Sequence, residues 1–407
     1  MKILGICSSI RARFNNIDKA LQTINEIDNY HDFYTILYEN ISNKSLSNSE
    51  ALLWMALFGA KGSETNIDLV LLKNIKDTID IKNMVSDADG IILSTPVYFG
   101  DRSSLSNALM CDCDLNNKVF ASLSVGAKRN GGQETTNIFS LWDALNSGAM
   151  IVGNGPPTSQ YGGTGWAGNI GSILDDNFGF DTSLGTGKRV AEIINITTKI
   201  PHSFPAKIAL IHVSSGTNHG ILSEIETILY QLGAETILID LKKYNIHPCL
   251  GCSQCPNSNE EPICIVNDDM QTLRDYLRNS HGFIFITDCL IKDQYWFLFQ
   301  RFAERTRCLR RNHFELSNRP AFIVNLQDMS MNSILPLRTI SFILRHNCFV
   351  IGPVYSIYHY HEKLIYSEEQ IKKHLKSFVT MGAKISYILT NHEKTRYEYI
   401  PVGYKRK

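Results

Sequence analysis

The sequence predicts two α/β units in tandem, each a three-layer sandwich of helices packed on both faces of a parallel sheet. Three observations carry this expectation. The chain has 407 residues, more than one ordinary hydrophobic core organises. Short apolar runs alternate with helical patterns, as parallel strands joined by crossover helices require. And the chain repeats itself: "KILGICSSIR" parallels "KIALIHVSSGT", and "ADGIILSTPVYFGD" parallels "SHGFIFITDCLIKD", a spacing too long for a solenoid and suited to two related domains.

In the first half, Lys2–Cys7, Ile67–Leu72, Gly90–Ser94, Val119–Val125 and Met150–Val152 read as buried strands, with helical patterns at 50–61, 80–88, 103–110, 133–147 and 187–197. "ITTKIPHSFPAK" loses all periodicity and carries two prolines, so it reads as a linker. Strand-like runs resume at Lys207–Val213, Thr236–Leu241, Gly282–Thr287 and Ala321–Leu326. The expected domains are therefore 1–200 and 206–407. Only the first holds an insertion, at about 12–44, with an apolar stripe at Ile17, Ala20, Leu21, Ile24 and Ile27. It reads either as a surface appendage or as a lid or dimer element beside the loop from which it emerges. After it, Ser47 and Glu50 form an S-x-x-E capping box. The helix that follows is apolar nearly all round (Ala51 to Phe58), as expected of a buried helix.

Forty basic and forty acidic residues cancel without long runs of either sign, which argues against nucleic-acid or anionic-membrane partners. The longest apolar run, Ala51 to Ala60, is too short to span a bilayer. The start reads as a buried strand and not as a signal peptide. Ten cysteines in that context point to a reducing, cytoplasmic setting, where clustered cysteines are more often metal-binding or redox-active than disulfide staples.

Chemistry is written at three strand ends. Ser8, Ser9 and Arg11, with Ser47, Asn48 and Ser49 at a helix start, would supply hydroxyl, amide and guanidinium donors to a phosphate, where free backbone N–H groups and the helix dipole also point. "STPVYFGDRSSL" leaves a buried strand through Pro96, two aromatics and Gly100. A loop at the carboxyl end of a parallel strand is where open α/β sheets bind ligands. "SVGAKRNGGQETT" brings Gly131 and Gly132, which allow close backbone approach, ahead of another helix. Cys111 and Cys113 read as helix-end packing.

Taken together, "SSIR", "SNSEALL", "TPVYFGDRSSL", "GGQETT", "QYGGTGWAG" and "LGTGKRVAEI" resemble the NADPH-dependent FMN reductase and iron–sulfur flavoprotein group of the flavodoxin-like fold, over nearly all of 1–198 apart from the insertion. The resemblance implies two tandem flavodoxin-like αβα sandwiches with parallel five-stranded sheets. It implies FMN, one per chain and in the first domain. Ser9, Arg11, Asn48 and Ser49 would hold its phosphate. Thr95, Pro96, Val97, Tyr98, Phe99, Gly100, Gly131, Gly132 and Gln133 would lie against its ring, with Tyr161 on a further flavin-side loop. Asp101 stands where many relatives carry Ser. No catalytic side chain is assigned, since the cofactor carries the chemistry.

In the second half "HPCLGCSQCP" sets Cys249, Cys252 and Cys255 at a C-x-x-C-x-x-C spacing before Pro256, with Cys264 further on. Zinc and dithiol chemistry both fit such a set, and so does a [4Fe–4S] cluster. The position after the second strand resembles the iron–sulfur flavoprotein arrangement. The flavin loops of this half are eroded: Asp288–Lys292 replaces the aromatic loop, "SSGTNHG" lacks an arginine, and "NLQDMSMNS" lacks a GGQ. His359 and His361 read as strand residues. The expected function is an NAD(P)H-dependent, FMN-containing oxidoreductase of the flavin or quinone reductase kind, passing electrons to a small acceptor. The alternative is a flavin and iron–sulfur electron-transfer protein serving a protein partner. The two halves would form an internal pseudo-dimer, able to pair further into a homo-oligomer.

Overall fold

The computed structural model describes residues 1–169, 171–214, 219–252, 255, 264–288, 295–311, 313–328, 334–360, 363–392 and 397–399. The chain divides into two compact units, 1–198 and 199–407. Among the described residues no helix is long and apolar enough to cross a membrane.

The first unit runs β1 (Lys2–Cys7), α1 (Ile17–Glu26), α2 (Tyr30–Ser42), α3 (Asn48–Ala60), β2 (Asn66–Leu71), α4 (Thr78–Asp87), β3 (Gly90–Pro96), α5 (Asn107–Asp112), β4 (Val119–Gly126), α6 (Gln133–Asn146), β5 (Met150–Ile151), β6 (Gly163–Trp166) and α7 (Asn177–Lys199). Its strands pair in parallel in the order β2-β1-β3-β4-β5, the flavodoxin-like order. The central strands are apolar throughout because both faces are covered: every residue of β4 is buried. Beyond the short β5, β6 adds to the far end of β4, pairing Leu123–Gly126 with Gly163–Trp166. The segment just after the expected flavin-side loop at Tyr161 is thus a strand, formed by pairing and not by propensity.

Helix α3 is buried nearly all round, as its composition predicts. It lies over β1, where a Cβ on Gly5 would strike Leu57. It meets α7 backbone to backbone, since a Cβ on Gly187 would fall 1.7 Å from the Ala56 carbonyl oxygen and one on Gly59 2.2 Å from that of Leu184. The insertion is no loose appendage. α1 buries Ala20 and Ile24, and α2 buries Phe33, Leu37 and Ile41. Phe33 stacks on Phe58 of α3 at 4.3 Å, and Tyr34 meets Phe180 of α7 edge-on at 5.4 Å.

The second unit comprises β7 (Ala206–Ser214), α8 (His219–Gln231), β8 (Ala234–Asp240), α9 (Met270–Asn279), β9 (Gly282–Asp288), α10 (Tyr295–Arg305), α11 (Arg307–Arg311), β10 (Pro320–Asp328), α12 (Leu335–Arg345), β11 (Phe349–Ile351), β12 (Tyr355–Tyr360), β13 (Lys363–Ile365) and α13 (Glu368–Asn391). Its parallel order, β8-β7-β9-β10-β11, repeats the first. β12 extends along β10 and turns back into β13. His359 lies in β12, whereas His361 lies outside the described residues. An aromatic cluster of Phe285, Phe299, Phe302 and Phe342 fills one face of the sheet.

Candidate functional site

In the first unit the carboxyl ends of β1, β3 and β4 and the N-terminus of α3 are tied together. Ser8 N–H donates to the Ser94 carbonyl at 2.9 Å, the Ser94 hydroxyl donates to the Ser49 carbonyl at 2.7 Å, and Val97 N–H donates to the Val125 carbonyl at 2.9 Å. Between them opens a cleft of about 610 Å³, within the range of cofactor pockets.

One end of the cleft is the loop after β1. Arg11 N–H donates to the Ser9 hydroxyl oxygen at 3.2 Å, which leaves the Ser9 O–H free to donate. Opposite, the capping box of α3 is complete: Glu50 N–H donates to Ser47 Oγ at 3.4 Å, and Ser47 N–H to Glu50 Oε2 at 2.7 Å. The same buried carboxylate also accepts from Arg13 N–H at 2.8 Å and Phe14 N–H at 2.9 Å. One side chain therefore fixes both the entry to the insertion and the start of the helix. Asn48 supports a different wall. Its amide donates to the Gly171 carbonyl at 3.1 Å and accepts from Ile173 N–H at 3.3 Å, holding the 171–174 loop against the cleft.

At the other end the 97–101 loop is a tight hairpin turn. Tyr98 and Asp101 exchange backbone hydrogen bonds of 2.8 and 3.0 Å, and Phe99 and Gly100 both have positive φ, 53° and 80°, the conformation that favours glycine at its second central position. Gly132, at φ 93°, brings the next loop close enough that a Cβ there would lie 3.0 Å from Gly100 Cα.

Ser9, Arg11, Asn48, Ser49, Pro96, Val97 and Tyr98 line the cleft. The other expected flavin-side residues lie around it. Thr95 is fully buried and accepts from Ser103 N–H at 2.9 Å. Phe99 is fully exposed at the turn's tip and Tyr161 is buried. Gln133 organises its own loop: its amide donates to the carbonyls of Lys128 (2.6 Å) and Gly165 (3.0 Å) and accepts from Gly131 N–H (2.8 Å). Arg129, ion-paired with the buried Asp176 and lying over Trp166, anchors that loop further. Sequence reasoning missed Arg13, Lys44 and Leu46, which the returning end of the insertion and its entry place in the cleft wall.

In the second unit the four expected metal-ligating cysteines are all half-buried. The thiol of Cys255 is pushed up to about 11 by burial and by the nearby thiols of Cys308, Cys264, Cys249 and Cys252. At Cys264 burial works against the thiolate, but the Val266 N–H, Arg305 and Arg274 outweigh it and lower the pKa. Cys308, unnoticed in the sequence, joins the group from α11 and accepts from Arg274 Nη1 at 3.5 Å. Among the described residues no three or more His, Cys, Asp or Glu side chains converge closely enough to hold a metal ion. The eroded loops at 215–218, 289–294 and 329–333, and the 256–263 stretch before Cys264, lie outside the described residues.

Helix α10 clamps this loop. Glu304 accepts from Cys249 N–H at 2.6 Å. Arg305 donates to the His247 and Val266 carbonyls at 2.9 and 3.3 Å and grips Asp268 through both oxygens at 2.6 and 2.9 Å. Both ends of the cysteine segment are thereby pinned by one buried guanidinium.

Residues 1–160 and 206–361 match the family profile of NADPH-dependent FMN reductase. The chain belongs to that family. It is 39% identical over 137 residues to an iron–sulfur flavoprotein of Methanocaldococcus jannaschii, covering 31% of this chain and 68% of that protein. It is 31% identical over 208 residues to an iron–sulfur flavoprotein of Methanosarcina thermophila, covering 49% of this chain and 98% of that one. Among solved structures it resembles a flavone reductase (18% identity, TM-score 0.33, 48% of this chain and 63% of that one). Membership makes this FMN reductase relative a flavin oxidoreductase and accounts for the duplication, since the profile matches each half.

Two predictions follow from the contacts that build these loops. Glu50→Ala removes an ionised acceptor from three backbone N–H groups, each such bond contributing about 1.5–3 kcal/mol. It lowers unfolding stability by several kcal/mol and speeds hydrogen exchange at the amides of Arg13, Phe14 and Ser47, while Glu50→Gln has a smaller effect; unchanged exchange at those amides contradicts the assignment. The side chain of Asp268 is buried, yet hydrogen bonds from Arg305 and the N–H groups of His247 and Met270 hold its carboxyl below the usual range. Its stabilisation is therefore present above the unfolded carboxyl pKa of about 4 and is lost as pH falls through the lower folded value. Denaturant midpoints measured from pH 7 down to pH 3 decline in the wild type, and Asp268→Asn is less stable at pH 7 with a flatter decline.

Proposed function

We propose that the chain is an NAD(P)H-dependent flavin oxidoreductase whose first unit holds FMN and passes electrons to a small diffusible acceptor. The observation that carries this reading is the cleft at the ends of β1, β3 and β4, with phosphate-type donors at one end and an exposed aromatic hairpin at the other. FMN, when bound, supplies the hydride and electron chemistry. The residues present fit it. Ser9 O–H, the Arg11 guanidinium and the free N–H groups at the start of α3 meet a phosphate, and charge-assisted donors of this kind are the strong ones. Val97 and Tyr98 offer backbone and aromatic surface for a flat ring, while Gln133, bonded on three sides, keeps the neighbouring loop from collapsing into the space.

The C-x-x-C-x-x-C spacing at Cys249, Cys252 and Cys255 and the names of the two archaeal relatives, both iron–sulfur flavoproteins, support a second reading, in which the chain carries an iron–sulfur cluster beside the flavin and passes single electrons to a protein partner. Iron and sulfide assays on protein purified without oxygen separate the readings: flavin alone supports the first, flavin with stoichiometric iron and sulfide the second.

The test of the flavin site is Arg11→Ala combined with Ser49→Ala. The wild type carries FMN that NADPH or NADH bleaches at 450 nm (roughly the flavin band) under anaerobic conditions. The double variant retains the fold by circular dichroism but loses flavin affinity by at least about tenfold per lost charge-assisted contact. FMN retained at wild-type affinity places the phosphate elsewhere and overturns the site.

A further inference from the structure

Three cationic residues line the flavin cleft, Arg11, Arg13 and Lys44, and no Asp or Glu is among the described residues that line it. A flavin phosphate carries at most about two negative charges, and Arg11, Ser9 and the start of α3 already face it. Arg13 and Lys44 are surplus to that need.

Both belong to the segment between β1 and α3, residues 8–47, whose counterpart in the second unit is only 215–218. They are brought to one rim by contacts of their own. The Arg13 guanidinium donates to the Lys44 carbonyl at 3.1 Å, closing the two ends of the insertion on each other. Glu50 fixes the Arg13 backbone from behind, its buried carboxylate committed to three N–H groups and absent from the cleft lining. Lys73 holds the adjacent Ala12 carbonyl. An arginine whose guanidinium is already held by a backbone carbonyl, on the open side of a cofactor cleft, loses little entropy when it binds an anion, and the Lys44 ammonium beside it adds a second charge.

We propose that Arg13 and Lys44 form a second phosphate subsite beside that of FMN, which takes a phosphate of the pyridine dinucleotide that reduces the flavin. This rests on the FMN reading of the cleft. A dinucleotide fits because it must reach the flavin through the same opening and brings two or more phosphoryl groups with it. A soluble flavin nucleotide acting as acceptor shares that chemistry and is separated from it by the test.

The experiment uses the full chain loaded with FMN. NADP⁺, which binds without reducing the flavin, is titrated by flavin difference absorbance into the wild type and into Arg13→Ala/Lys44→Ala at two salt concentrations. The dissociation constant rises at least about tenfold in the double variant, its salt dependence flattens, bound FMN remains at the wild-type ratio, and Arg13→Lys/Lys44→Arg restores much of the affinity. Unchanged NADP⁺ affinity with FMN retained overturns the proposal. So does loss of FMN from the double variant, which assigns the pair to the cofactor's own phosphate. A raised KM for added FMN as acceptor with unchanged NADP⁺ affinity overturns the donor assignment in favour of a flavin acceptor. Failure of the underlying reading is distinct, because the wild-type protein would then show no flavin absorbance at all.

Discussion

The cleft of the first unit depends on one buried carboxylate. Glu50 sits in the first turn of α3, and its two oxygens accept N–H groups from Ser47, Arg13 and Phe14. An ionised group so far from water is tolerable only when its lone pairs are met, and here backbone donors meet them. The consequence is geometric. The loop leaving β1 and the chain entering α3, nearly forty positions apart, must pass the same point, so the phosphate-type donors of both segments face one space. The insertion is forced out sideways, where α1 and α2 find cover for their apolar stripes against α3 and α7.

The same device recurs. Gln133 gathers the carbonyls of Lys128 and Gly165 and the N–H of Gly131, and Asp176 receives Arg129 from the same loop while accepting from Trp166 N–H at 2.6 Å. In the second unit Arg305 holds both ends of the cysteine segment through two carbonyls and Asp268. In each case a long loop with little apolar content is shaped by one multivalent polar side chain bonded to main chain. Buried networks of this sort are costly when half satisfied and rigid when complete, which suits loops that must present backbone to a ligand.

Much of this was legible from residues alone. The strand–helix alternation, the duplication, the Ser47–Glu50 box and the buried character of α3 are local patterns with local physical causes, and the structure carries them. What escaped is non-local. Nothing in the spacing of the insertion shows that Lys44 returns beside Arg13, because that depends on two helices packing back on α3. The strand at Gly163–Trp166 has poor strand propensity and exists because β4 offers it a partner. Gln133 and Asn48 are expected to face the ligand, and spacing does not show that their side-chain amides also bond loops over thirty and over a hundred positions away. Cys308, Arg274 and Arg305 reach the cysteine segment from helices that sequence order separates from it.

In the proposed function the first unit's cleft holds the flavin and the second unit, though matched by the same family profile, holds none. Releasing the flavin from purified full-length protein by denaturation and quantifying it against chain concentration tests this most directly. The account predicts FMN at about one per chain, and a ratio near two contradicts it.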